Sequence, residues 1–81
     1  MEVEVHFFSY YRLIAGMEST HVQLPENATV QDLVNALKKQ IENLDDKLDQ
    51  TVFLVNRQQA SLSSPLKDKD DISLLYLIGG G

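Results

Sequence analysis

The chain ends in Gly79-Gly80-Gly81, which holds three of its four glycines. At a glycine frequency of about 7%, such a terminal run arises by chance in roughly one chain in 3000. Glycine has no side chain and accepts any φ. A tail of this kind can therefore be threaded, extended, through a channel too narrow for other residues. It delivers one reactive group, the carboxylate of Gly81. A carboxylate is a poor electrophile until ATP adenylates it to an acyl phosphate anhydride. Sulfide can then displace AMP to leave a thiocarboxylate, or an amine can displace it to leave an amide. The sequence has no phosphate-cradling glycine loop, so either use of the tail calls for a separate adenylating enzyme that binds the ATP.

Other residue types offer less. His6 and His21 are the only histidines and both fall in β-like segments, where an outward histidine is an ordinary surface residue. Two histidines without cysteine do not form a zinc set by spacing, although a carboxylate could complete one. The reading is no metal and no bound cofactor. Ser9, Ser61, Ser63 and Ser64 stand in no Ser–His–Asp pattern, and a G-x-S-x-G elbow is absent. Asp45-Asp46 and Asp70-Asp71 read as solvated charges in polar loops.

The frame that must hold the tail is small. Eighty-one residues make one domain, and a chain of that size buries only about 60% of its unfolded surface. It lacks cysteine, so disulfides, thiol catalysis and cysteine zinc sites are excluded. The net charge of −5 argues against nucleic acid, whose phosphates need a positive face. No signal peptide or apolar run of membrane-spanning length appears, and a cytoplasmic location is expected.

Val3, Val5 and Phe7 alternate with Glu4 and His6, the period of a strand. Phe8, Tyr10 and Tyr11 extend its apolar character, and Ala15-Gly16 offers a turn. Thr20, Val22 and Leu24 alternate in a second strand. After Pro25–Ala28, Thr29 and Asp32 resemble a capping box. Val30, Leu33, Val34, Leu37 and Ile41 then form one stripe of an amphipathic helix. Asn43–Gln50 reads as a loop or a short helical turn. Thr51–Val55 is a strand, Asn56–Gln58 a turn, Gln59–Leu62 a short edge strand, Lys67–Asp71 a solvated turn, and Ile72–Ile78 the last strand. One helix cannot separate two sheets, so it covers one face of a single mixed sheet. The most apolar strands, first and last, belong side by side in the middle. This is an α+β, ubiquitin-like β-grasp arrangement over residues 1–78, with residues 79–81 as a flexible tail.

One pattern does not close. The last strand is apolar at both parities: Ile72, Leu74 and Tyr76 on one side, Leu75 and Leu77 on the other. Phe8 also opposes the parity of Val3, Val5 and Phe7. The helix covers one face only. The open face should therefore carry an apolar patch of Phe8, Leu75 and Leu77 that awaits a partner.

Several further residues carry a family resemblance: Val5-His6-Phe7-Phe8, Arg12 with Ala15-Gly16, Leu24-Pro25, Ala28-Thr29-Val30 with Asp32-Leu33, Val55-Asn56, Pro65-Leu66 with Asp68 and Asp70, and the final Gly80-Gly81. In this order and spacing the whole chain resembles the small subunits of molybdopterin synthase, sulfur carriers of the ubiquitin-like β-grasp superfamily. The resemblance implies that Gly81 carries a thiocarboxylate with Gly80 as the penultimate glycine. It implies that the synthase large subunit receives the tail and passes sulfur to precursor Z. It also implies that an adenylating enzyme related to the ubiquitin-activating class recharges the tail with ATP, and that the carrier alone has no activity. Phe8 and Leu75 fall where the family contacts its partners, with Leu77 and Gly79 beside them. The chain departs from the family in three places. Tyr76-Leu77-Ile78-Gly79 replaces a Pro-Pro-Val-small segment, Lys69 replaces the glycine of an Asp-Gly-Asp turn, and Leu13 stands at an often acidic position. Carriers for thiamine or tRNA thiolation, and ubiquitin-like protein modifiers, share the fold and tail and stay open at this point.

Overall fold

In the computed structural model, residues 1–41, 44 and 51–76 are described. The alternation at the N-terminus forms β1 (Glu2–Phe7), with Val3, Val5 and Phe7 buried and Glu2 and Glu4 exposed. β2 (Ser19–Gln23) runs antiparallel to it, with Val3 opposite Val22 and Glu4 opposite His21. The longer helix, α2 (Val30–Gln40), opens on the expected capping box. The Thr29 hydroxyl accepts from the Asp32 N–H, and an Asp32 carboxylate oxygen accepts from the Thr29 N–H at 2.8 Å. Two otherwise orphaned donors are satisfied there, and the acidic side chain suits the positive end of the helix. Val30, Leu33, Val34 and Leu37 are fully buried, and Ile41 continues the stripe as the extended C-cap.

β3 (Thr51–Val55), β4 (Gln58–Ala60) and β5 (Asp71–Tyr76) complete one five-stranded sheet in the order β2-β1-β5-β3-β4. The first and last strands lie together at the centre and pair in parallel, with Val5 opposite Ile72 and Phe7 opposite Leu74. All other pairs are antiparallel. Val3, Val5, Phe7, Val22, Phe53, Ile72 and Leu74 join the α2 stripe in one core. At ~25 cal/mol per Å² of apolar surface, burial of this kind is the main driving force for so small a domain. The architecture is the ubiquitin-like β-grasp expected from the sequence.

Several local expectations need correction. Tyr10 and Tyr11 do not extend the first strand. They begin a second helix, α1 (Tyr10–Ala15), which Gly16 ends in the left-handed conformation at φ 71°, its N–H bonding Arg12 O. Six residues are too few to display a helical period, and paired tyrosines favour strands by composition. The edge strand lies at Gln58–Ala60 rather than Gln59–Leu62. The hairpin before it turns on Asn56 and Arg57 alone, both at positive φ, as a two-residue loop of this hand requires. The turn before β5 is not wholly solvated. Asp70 is 8% exposed and accepts from Asn56 Nδ2 at 2.9 Å and from the Lys67 N–H at 2.8 Å. The Asn43–Gln50 loop, apart from a half-buried Leu44, and the strand end at Leu77 and Ile78 lie outside the described residues.

Candidate functional site

The pleat sends alternate side chains of every strand to the face that α2 leaves uncovered. The register arranges them there in cross-strand rows. The first row is Gln23 and Glu2, whose side chains hydrogen-bond at 2.9 Å. Next come His21, Glu4 and Asp71 from β2, β1 and β5. The third row is Ser19, His6, Ser73, Leu54 and Gln59. The last is Phe8, Leu75 and Val52. Leu75 is opposite Val52, and the Phe8 N–H bonds Leu74 O at 3.2 Å, which carries the β1–β5 pairing one residue past Phe7. The open face thus grades from charged at one end of the central strands to apolar at the other.

The expected patch is partly visible. Phe8 is 45% exposed. Leu75, Val52 and Leu54 are half-buried, yet they are not among the half-buried apolar residues packed on the core. Val52 and Leu54 were not singled out by the sequence, because Thr51–Val55 reads as one continuous apolar run with no visible parity. Leu13, 80% exposed, and Met17 add apolar surface on and just after α1. Leu77, Gly79, Gly80 and Gly81 lie outside the described residues.

The strand end from which the tail leaves is held by aromatic packing. Tyr76, the last residue of β5, stacks on Tyr10 with ring centroids 4.5 Å apart and meets the Tyr11 ring edge-on at 5.8 Å. Tyr10 and Tyr11 are themselves edge-on at 5.5 Å. Such pairs contribute about 0.5–1.5 kcal/mol each beyond burial. Tyr11 is buried, and its hydroxyl shares a hydrogen bond with Thr51 Oγ1, directly across the sheet from Tyr76. Tyr76 is in the last strand as expected, but Tyr10 and Tyr11 sit on a helix rather than extending the first strand, and that hides the cluster from the sequence.

At the other end of the open face the structure gathers groups that sequence spacing keeps apart. His6 Nε2 lies 2.8 Å from Asp71 Oδ1 and 3.8 Å from Glu4 Oε1. His21 Nε2 lies 3.7 Å from Glu4 Oε2. Elsewhere, the Ser61 hydroxyl shares hydrogen bonds with those of Ser63 and Ser64 in a turn. Asp45 and Asp46 lie outside the described residues.

A helix-backed β-grasp sheet with an open apolar edge beside its C-terminal strand defines the ubiquitin-like class. Residues 5–81 match the ThiS family, and the chain belongs to this family of ubiquitin-like sulfur carriers. Among solved structures, it is 30% identical to a chain in the protein–protein complex of subunits 1 and 2 of the molybdopterin-converting factor from Helicobacter pylori, covering 100% of each chain with a TM-score of 0.68. It is 28% identical to the putative molybdopterin converting factor subunit 1 from Pyrococcus furiosus, covering 96% of this chain and 99% of that one with a TM-score of 0.79. SAMP1 from Haloferax volcanii shares the fold at a TM-score of 0.90 over 100% of both chains, with 24% identity. No curated protein matches the chain in sequence. No helix among the described residues is long and apolar enough to cross a membrane.

Proposed function

We propose that this chain is the sulfur-carrier small subunit of a molybdopterin synthase, working in the cytoplasm. The observation that carries the reading is the 30% identity, over the full length of both chains, to a chain of the two-subunit molybdopterin-converting factor complex. The family match reaches residue 81 and so takes in the glycine tail. In this reading Phe8, Leu75, Leu77 and Gly79 dock the large subunit, joined by Val52. The Tyr10–Tyr11–Tyr76 cluster holds the tail's base in place while residues 79–81 reach into the partner.

Chemistry takes place at Gly81, with Gly80 lining the approach. A separate adenylating enzyme joins the Gly81 carboxylate to AMP and releases pyrophosphate from ATP. Sulfide attacks the acyl carbon and AMP leaves, so one carboxylate oxygen is exchanged for sulfur. The thiocarboxylate then gives its sulfur to precursor Z in the large subunit, and hydrolysis returns the carboxylate. The carrier supplies no catalytic group beyond its terminus.

The test combines three variants with two assays. Deleting Gly81 draws the reacting carbon back by about 3.3–3.6 Å of extended chain, and misplacement near 1 Å can already cost about 10²-fold. Appending one residue misplaces the carboxylate the other way. Gly80→Val keeps the terminus but adds a side chain to the thread. All three should melt like the parent chain, and all three should lose ATP–pyrophosphate exchange with the adenylating enzyme and the mass gain of sulfur for oxygen. A des-Gly81 chain that is thiocarboxylated and supports molybdopterin formation at the normal rate would overturn the reading. Intact mass separates a carrier from a protein modifier, and the identity of the sulfurated product separates the carrier pathways. Adducts on the lysines of other proteins would mark a protein modifier, and sulfur delivered to a thiazole or tRNA product would mark another carrier pathway.

A further inference from the structure

The geometry points to a divalent transition-metal site on the charged half of the open face, formed by Glu4, His6 and Asp71 with His21 as a fourth ligand. The ion best suited to it is one of zinc's borderline class. The reading is independent of the sulfur-carrier assignment, because it uses none of the tail or docking residues.

Three observations carry it. The first is spacing. One ligand atom each from Glu4, His6 and Asp71 lie within 4.8 Å of one another. A tetrahedral site with ~2.0–2.1 Å bonds places its ligand atoms about 3.3–3.4 Å apart. The observed 2.8 Å from His6 Nε2 to Asp71 Oδ1 and 3.8 Å from His6 Nε2 to Glu4 Oε1 bracket that value. Small rotamer shifts suffice to close the site. His21 Nε2, 3.7 Å from the other Glu4 oxygen, is placed to join by rotating about its side-chain bonds.

The second is an unmet acceptor. Asp71 Oδ1 is shielded from solvent and receives no hydrogen bond, even though His6 Nε2 is only 2.8 Å away. The two atoms are close but not aligned as donor and acceptor. A shielded acceptor left without a donor is unfavourable. A cation between the carboxylate oxygen and the imidazole lone pair would satisfy both.

The third is scaffolding. The ligands come from three neighbouring strands: His21 from β2, Glu4 and His6 from β1, and Asp71 from β5. The backbone register fixes their relative positions. Asn56 Oδ1 accepts from the Asp71 N–H at 3.0 Å, so the start of β5 is also fixed. A shallow depression lined by Glu2, Glu4, His21 and Lys69 lies alongside and leaves a path for an ion from solvent. Two imidazole nitrogens with two carboxylates suit zinc and its neighbours. Calcium and magnesium favour six or more oxygens and are poorly served. A bound ion would clip β2, β1 and β5 together across the open face.

The test titrates the full chain, stripped with a chelator, with zinc chloride in a calorimeter and follows thermal unfolding with and without zinc. Saturable binding of one equivalent is expected, with a higher melting temperature in zinc. His6→Gln and Glu4→Gln should each weaken binding at least tenfold, and His21→Gln should weaken it less. Cobalt substitution should give the intense visible absorption of a tetrahedral site. If a variant fails to fold, amide and imidazole NMR shifts of the parent chain decide: zinc should perturb Glu4, His6, His21 and Asp71 first. Absence of saturable binding, affinity unchanged in His6→Gln, or shifts centred elsewhere on the acidic surface would each overturn the site.

Discussion

The open face of the sheet has two halves, built from the same strands by the same pleat, and they differ in kind. Around Glu4, His6, His21 and Asp71 the contacts are between charged or ionisable groups within 4 Å, two of them across strands and one along β1. Phe8, Leu75 and Val52 form an apolar row at the other end, and none of them belongs to the core that α2 covers. Water solvates most of the first half at little cost, the shielded Asp71 Oδ1 excepted. The second half leaves hydrocarbon in contact with water, a cost that a partner's surface would remove. Neither half contributes a residue to the buried core. Under the proposed function, the difference assigns docking to the apolar end of the face, beside the end of β5, and leaves the charged end for a separate role.

The two halves were also unequally legible. The apolar half announced itself as a parity conflict within single strands: Leu75 beside Leu74, Phe8 beside Phe7. That signal is local and needs no knowledge of pairing, so the β-grasp order and part of the patch could be read from the sequence. The charged half depends on the β1–β5 register, which sets Glu4 beside Asp71. No local pattern links residues so far apart in the chain. The tyrosine cluster was hidden for another reason: α1 is one and a half turns long, and its paired tyrosines carry strand propensity. The substitution of Lys69 for a family glycine was visible in the sequence, and the structure gives it a meaning, since Lys69 sits at φ 69°.

The sharpest way to break the contrast between covered and open faces uses two adjacent leucines. Leu74 is 2% exposed and in the core, so Leu74→Ala should cost ~2–5 kcal/mol, as core leucine truncations do. Leu75→Ala should cost well under half of that. Equal urea midpoints for the two variants would mean the faces are wrongly assigned.

Next in size is binding. Phe8→Asp and Leu75→Asp should each weaken association with the large subunit by about 2 kcal/mol, near 30-fold, with circular dichroism close to the parent's. Calorimetry showing parent affinity for both folded variants would remove the apolar half from the interface.

Each half is also bounded by a turn under backbone strain. Ser9 follows the apolar end of β1 at φ 49°, ψ −121°, with the Tyr11 N–H bonding Phe8 O across it. Lys69 precedes the charged end of β5 at φ 69°. Non-glycine residues in such conformations cost on the order of 1–3 kcal/mol, and glycine removes the strain while adding unfolded-state entropy. Ser9→Gly and Lys69→Gly should therefore each gain about 1 kcal/mol, or roughly 4–8 °C in melting temperature for a domain of this size. A fall in melting temperature would show that the side chains, and not the backbone, hold these turns.

The smallest expected effect sharpens the comparison most. If the charged half is solvated surface when metal-free, its pairs should add little to the fold. His21 and Glu4 side chains are 61% and 48% exposed, and their closest atoms are 3.7 Å apart. Exposed pairs of this kind are typically worth ~0–1 kcal/mol once water and salt screen them. In chelator-containing buffer His21→Gln should shift stability by less than about 0.5 kcal/mol. The remaining difference should fade at 1 M salt, where the screening length falls to about 3 Å. The measurement is a pair of urea melts, at low and high salt, for the parent and the variant. A loss above about 1.5 kcal/mol that persists at high salt would mean that this half helps set the β1–β2 register. The contrast between a solvated half and a docking half would then give way to one between a structural half and a docking half.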